Sequence, residues 1–192
     1  MNTSQLHGSE PATSHAGAAL PYGRGSDGAG SVSDPSSYAD VRVEPGSPLD
    51  PQIARLFALS DAYAAALYPA ESNHMVEAAV LAQDHVIFCV ARRDEQILGC
   101  GASVLHDDAA APYAEIKRMF VLEEARGLRL GERILSYLEE QTAARAVRTL
   151  RLETGIHSHP ARRLYERCGY RLIGPFADYW DDPLSVFYEK NL

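Results

Sequence analysis

The sequence predicts an α/β fold (α+β in the looser classification): a mixed central sheet of about seven strands with helices on both faces. Three observations predict it. Apolar residues switch several times between the helical period and the two-residue alternation of strands. The segments so defined run β-α-α-β-β-β-α-β-α-β-β, an order that layers helices onto one sheet. Midway, two apolar runs flank a short charged turn, which signals a hairpin and hence some antiparallel pairing.

Each element has its own warrant. Val41-Arg42-Val43-Glu44 alternates as a short strand. After the start signal Pro48-Leu49-Asp50-Pro51, Ile53, Leu56, Phe57, Ser60, Tyr63, Ala64 and Leu67 recur at helical spacing, and Pro69 stops the helix. A polar turn, Glu71-Ser72-Asn73-His74, precedes a second short helix near Met75 to Ala82. Val86 to Ala91 and Ile97 to Leu105 form the hairpin, and a turn centred on Asp94-Glu95 would set Cys89 across from Cys100. Tyr113 to Leu122 is the next strand, and Leu130 to Arg145 a helix with Ile134, Leu135, Leu138 and Ala143 inward. Thr149 to Thr154 alternates as a strand, and Pro160 to Arg167 is a short helix ended by Gly169. Tyr170 to Ile173 and Ser185 to Glu189 complete the sheet.

Composition sets bounds. The chain has 192 residues, 46% hydrophobic and 23% charged, as in soluble globular proteins. Met1 to Tyr38 is rich in Gly, Ser, Ala and Pro and poor in large apolar residues. Too little surface can be buried there to offset the entropy of ordering, so residues 1–38 are expected to be a disordered tail before a domain at 39–192. No stretch reaches the ~20 apolar residues that span a bilayer, and no secretory signal is visible, so a cytoplasmic location is expected. A net charge of −8, from 26 acidic and 18 basic residues, disfavours nucleic acid and anionic membrane as partners. The three cysteines, Cys89, Cys100 and Cys168, make no Cys-x-x-Cys pair, and His157 and His159 lack ligands at zinc spacing; no metal is expected.

The segment with the most chemical content joins the strand ending at Val121-Leu122 to the helix beginning near Leu130. The first N–H groups of a helix lack internal partners and sit at the positive end of its dipole. A strand, a glycine-containing loop and a helix start therefore make a phosphate site. Gly127 lets the backbone approach an anion, and Arg126 and Arg129 can add charge. The Gly-Lys-Ser/Thr ending of a nucleotide P-loop is absent.

Arg126-Gly127-Leu128-Arg129-Leu130-Gly131 resembles the acyl-CoA signature of the GNAT N-acetyltransferase superfamily, Arg/Gln-x-x-Gly-x-Gly/Ala. It follows Ala114-Glu115-Ile116-Lys117-Arg118-Met119-Phe120-Val121. Later comes Leu164-Tyr165-Glu166-Arg167-Cys168-Gly169-Tyr170, similar to the family's Leu-Tyr-x-x-x-Gly-Phe/Tyr. The resemblance runs from Asp40 to the C-terminus. Tyr68-Pro69 with Glu71-Ser72-Asn73-His74, and Asp182-Pro183-Leu184-Ser185-Val186, are similar to stretches of a bacterial, small-molecule-type subgroup. One position departs: Arg129 replaces the central glycine, at a helix start where a side chain is expected to be sterically allowed.

The resemblance implies a GNAT fold with a splay between the fourth and fifth strands, where the pantetheine arm of acetyl-CoA pairs with the backbone of Met119 and Val121. It implies coenzyme binding by Arg126, Gly127, Leu128, Arg129, Leu130, Gly131, Ser158 and Tyr165. Acetyl transfer to an amine needs a proton acceptor, a donor to the developing oxyanion and an acid for the leaving thiolate. The resemblance gives the last task to Tyr165 and the oxyanion to a backbone N–H such as that of Val121. Glu115 stands where several members carry a base. A base acting through water, a site for a cationic substrate and a structural partner of Lys117 are its three readings. Alternation would put Glu115, Lys117 and Met119 on one face. Glu153, Glu71 and His74 compete as base or, with Lys117, contact the acceptor. The implied reaction is direct attack by a primary amine, a small molecule, in a ternary complex, with a homodimer as a compatible assembly. A non-catalytic acyl-CoA sensor and a transferase of a longer acyl group are the alternatives.

Overall fold

A computed structural model of the chain describes residues 40–72, 75–107 and 111–192. The tail expected at 1–38 and the candidate His74 lie outside the described residues.

In chain order the elements are β1 (Arg42–Pro45), α1 (Pro51–Ala65), α2 (Ala78–Leu81), β2 (Val86–Arg93), β3 (Gln96–His106), β4 (Tyr113–Val121), α3 (Leu130–Ala144), β5 (Thr149–Gly155), α4 (His159–Arg167), β6 (Arg171–Ile173) and β7 (Ser185–Asn191). The strands form one sheet in the order β1-β2-β3-β4-β5-β7-β6, and every neighbouring pair is antiparallel except β4–β5. The mixed seven-stranded sheet expected from the sequence is the one observed.

Local chemistry explains the helices. Asp50 caps α1, its carboxylate accepting from the Gln52 N–H at 2.8 Å, and Pro51 occupies the first turn, where its missing N–H costs nothing. Ile53, Leu56, Phe57 and Ala64 form the buried stripe of that helix. On the other face of the sheet, α3 buries Ile134, Leu135 and Leu138 completely. It comes unusually close to β3 because Gly101 leaves room. A Cβ there would sit 2.6 Å from Met119 Sδ and 2.8 Å from Ile134 Cγ2. Nearby, the Ser103 and Thr142 hydroxyls satisfy each other at 2.8 Å within the core.

Two bulges alter what simple alternation predicts. The hairpin turns at Asp94-Glu95 as expected, with Arg93 opposite Gln96. Beyond Arg92 and Ile97 the register then slips by one residue at Leu98, so Cys89 faces Gly101 and Val90 faces Cys100. The two thiols are thus not cross-strand partners. Both are free and fully buried, and burial pushes the Cys100 thiol up to about 12 and the Cys89 thiol above its ordinary range. The second bulge lies in β4, where Cys100 pairs with Phe120 but Ala102 with Lys117. Arg118 absorbs the extra residue in a left-handed conformation, φ 52°. Alternation resets there. Met119 turns toward α3, against Gly101 and Ile134, while Glu115 and Lys117 stay on the opposite face. The expectation that all three share a face fails for that reason.

The parallel pairing of β4 with β5 covers only Tyr113↔Thr149, Ala114↔Leu150 and Glu115↔Arg151. Beyond Glu115 the strands diverge, and Ile116 to Val121 has no register with β5. A second, smaller core covers the start of this region. Phe176 and Tyr179, between β6 and β7, pack with Tyr113 and Phe187.

Candidate active site

The site is built around the opening between β4 and β5. On one side of it, β4 ends at Val121, a short 3₁₀ turn follows at Glu123–Ala125, and the chain swings into α3. Gly127 adopts φ 85°, and Arg129, the residue before the helix, adopts φ 54°. The family's glycine position therefore has the backbone that favours glycine. Arginine holds it at a cost of about 1 kcal/mol, so the side chain is tolerated rather than free.

The other loop residues divide the work. Leu130 is buried and Leu128 packs on the core, anchoring the loop from below. Gly131 lets α4 approach, since a Cβ would lie 3.0 Å from Leu164 Cδ2. Arg129 supplies no side-chain cap, so the opening amides of α3 have no such partner. Its guanidinium instead pairs with Glu132 in the first helical turn, which Arg167 also meets at 3.2 Å. These guanidiniums, Arg129 first, hold the Glu132 carboxyl below its usual range. Arg126 lies 3.7 Å from Glu123. Gly127, Leu128, Arg129, Glu132, Arg133 and Ser136 line a hollow of about 470 Å³ over this loop. Uncapped amides, a positive helix end and several guanidiniums fit an anionic diphosphate.

Ser158 and Tyr165 come from the next unit. Ser158 precedes α4 and is buried, its Oγ 3.1 Å from the Tyr68 hydroxyl. Tyr165 is 5% exposed, with the rings of Tyr170 and Tyr188 5.8 and 6.2 Å away. Burial, then the negative charge of Glu153, pushes its phenol well above the ordinary value. At neutral pH the hydroxyl remains a proton donor.

The opposite side of the opening carries the charged candidates. Glu115 is 7% exposed. Its Oε1 lies 2.7 Å from Lys117 Nζ and accepts from the Tyr179 hydroxyl at 2.7 Å, while His106 Nε2 stands 3.6 Å from Oε2. Lys117 also donates to the Tyr179 hydroxyl. The pair with Lys117, one of the three readings the sequence left for Glu115, is present. Glu153, two residues past the last β4–β5 pair, accepts from Ser185 Oγ at 2.7 Å. Its charge helps raise the phenols of both Tyr165 and Tyr179. Glu71 falls in the 3₁₀ turn Ala70–Ser72 after α1.

Sequence reasoning gave no role to Arg118, Tyr179 or Tyr68. Arg118 pairs with Asp61 of α1, donates to the Val76 carbonyl at 2.8 Å and lies 4.5 Å from the Phe57 ring centre. It pins the segment after α1 to the β4 bulge. The available signal was a third charged side chain, next to Lys117, on a strand that already carries Glu115.

Comparison with known proteins agrees with this geometry. The Acetyltransferase (GNAT) family model matches residues 53–170. An IAA acetyltransferase from Azospirillum brasilense is 40% identical over 153 residues, covering 80% of this chain and 99% of the relative. A crystal structure from Klebsiella pneumoniae, assigned to the acyl-CoA N-acyltransferases, is 37% identical. It covers 80% of this chain and 99% of that one, with a TM-score of 0.67. The PaiA N-acetyltransferase of Thermoplasma acidophilum, solved with coenzyme A, shares the fold at 14% identity, with a TM-score of 0.61 over 79% of this chain and 99% of its own. With its splayed sheet and glycine loop at the start of α3, the chain belongs to the GNAT family of acetyltransferases.

Proposed function

We propose that the protein transfers the acetyl group of acetyl-CoA to a primary amine of a small molecule by direct attack in a ternary complex. The observation that carries this reading is the opening of β4 from β5 beside the uncapped start of α3. Acetyl-CoA supplies an activated thioester, and the protein's part is to hold it, orient the amine and move protons.

The backbone of residues 126–131 and the first turn of α3 receive the pyrophosphate, with Arg126 adding charge. The edge of β4 that β5 leaves unpaired, at Met119 and Val121, receives the pantetheine arm, and Ser158 contacts the coenzyme from the α4 side. A backbone N–H on that edge, such as that of Val121, stabilises the oxyanion. Tyr165, protonated at neutral pH, gives its proton to the departing thiolate. Glu115, engaged by Lys117 and Tyr179, shapes the acceptor side. Glu153, on the strand facing the opening, takes the proton of the amine. Glu71 and His74 belong to the segment that closes over the acceptor, and residues 39–192 suffice for all of this.

Calorimetry with acetyl-CoA, joined to a thiol-release assay across a panel of primary amines and IAA, tests the reading. Binding with release on at least one amine is expected. Glu153→Gln should then lose about 10²-fold or more in kcat, the usual range for a general base, and Glu115→Gln much less. Binding without release on any amine would favour a sensor, and release on IAA alone would remove the amine. A larger loss for Glu115→Gln would return the base to Glu115.

A further inference from the structure

Tyr68 joins two parts of the molecule that lie about ninety residues apart in sequence. It stands in the turn that ends α1, its N–H bonded to the Ala64 carbonyl at 2.9 Å, and it leads into the acceptor-side segment. Its side chain reaches the loop between β5 and α4. There the hydroxyl accepts from the His157 N–H at 2.9 Å and lies 3.1 Å from Ser158 Oγ. The ring stacks on the His157 imidazole, with centroids 5.9 Å apart and planes 16° from parallel. It lies directly on Gly155, where a Cβ would sit 2.1 Å from the phenol Cζ and 2.3 Å from its oxygen. Tyr68 is 9% exposed, so these contacts are made away from solvent.

Three features of one loop thus depend on one distant side chain. Gly155 must lack a side chain, the His157 N–H has its partner in the Tyr68 hydroxyl, and Ser158 has its hydroxyl oriented. The same loop begins α4, which carries Tyr165.

We infer that Tyr68 is a positioning residue: it fixes the Gly155–Ser158 loop in the form that receives the coenzyme, and so couples coenzyme binding to the segment after α1. The inference rests on the reading of Ser158 and α4 as the coenzyme side. The phenol touches neither the thioester nor the amine in this scheme. It acts through Ser158 and the start of α4, and a rigid ring against a glycine transmits displacement in both directions.

Calorimetry and hydrogen exchange with coenzyme A as the probe test this on the full chain. In the wild type, coenzyme A should slow exchange of the His157 and Ser158 amides. It should also slow the Leu67, Tyr68 and Ser72 amides, each of which is hydrogen-bonded. Tyr68→Phe keeps the ring and loses the hydroxyl. It should weaken coenzyme A binding about three- to tenfold, the scale of a lost buried hydrogen bond, and confine the slowing to the β5–α4 loop. Gly155→Ala keeps the hydroxyl and displaces the ring, and should give the same pattern. A purely structural Tyr68 would lower the melting temperature and leave the coenzyme-dependent slowing at Leu67 to Ser72 in place. That result in Tyr68→Phe overturns the inference, as does its absence in a wild type that binds coenzyme A. A wild type that fails to bind coenzyme A overturns the underlying reading as well.

Discussion

Tyr165 is enclosed by two other tyrosine rings, and both its burial and the nearby charge of Glu153 disfavour the phenolate. A phenol held protonated in this way keeps its O–H available to hydrogen-bond a developing thiolate, although the same burial makes it a weaker acid. It is poorly suited to take a proton from an amine. Tyr165→Phe preserves the ring packing and removes only the O–H. We expect kcat to fall about 10²-fold, within the range for a general acid, with coenzyme A affinity changed less than twofold. Steady-state rates with calorimetry check this, and an equal loss of rate and affinity would reassign Tyr165 to binding. The residue could be singled out in the sequence because a short motif fixes it on a helix. Tyr179 could not, because it lies in an irregular stretch and meets Glu115 and Lys117 only after the β6–β7 segment has folded across the sheet. For the same reason the ion pair that occupies Glu115 was one reading among three. Spacing on a strand says which residues share a face, not which of them bond.

Among the elements, periodicity reported each strand and helix, and bulges limited what it could report about facing. A bulge is one inserted residue with no distinct composition, so Leu98 and Arg118 look like ordinary strand members. Each reverses the side-chain alternation beyond it. That moved Cys100 off Cys89 and Met119 off the face of Glu115. The start of α3 shows a related limit. Motif matching placed Arg129 at the loop's glycine, and the backbone there is indeed left-handed, which a motif match does not report. The guanidinium, 79% exposed at its side chain, is held by Glu132, and such exposed pairs contribute about 0–1 kcal/mol. Relief of the left-handed strain is of similar size, about 1 kcal/mol. Arg129→Gly should therefore leave the melting temperature unchanged or raise it by up to about 3 °C. Coenzyme A should bind within about threefold of the wild type if, as proposed, the loop's amides hold the phosphates while Glu132 occupies this guanidinium. Thermal melts and calorimetry decide it. A tenfold loss of affinity would show that Arg129 itself contacts the coenzyme.

At the scale of the whole molecule, the described residues place the beginning of the core almost at the beginning of β1. Val41 is 2% exposed and joins the main cluster, and its carbonyl accepts from Arg133 of α3. β1 then completes one edge of the sheet by pairing Arg42 through Pro45 with Arg92 through Cys89. Among the described residues, the buried members of the main cluster run from Val41 to Tyr188. The sequence before Tyr38 offers few large apolar side chains that could add to it. Removing residues 1–38 should accordingly leave the melting temperature within about 2 °C, no more than the ~2–4 °C that 1 kcal/mol moves a domain of this size. Coenzyme A affinity should stay within twofold, since the loop at 126–131, Ser158 and the opening of β4 all lie beyond the cut. Removing residues 1–44 should be different. It deletes Val41 and most of β1, exposes the outer edge of β2 and frees the Arg133 guanidinium, and burial of an aliphatic side chain alone is worth about 1.5–3 kcal/mol. Melts of the two shortened chains beside the full one separate the cases. A loss above about 5 °C on removing residues 1–38 would mean that the domain draws stability from the segment before it.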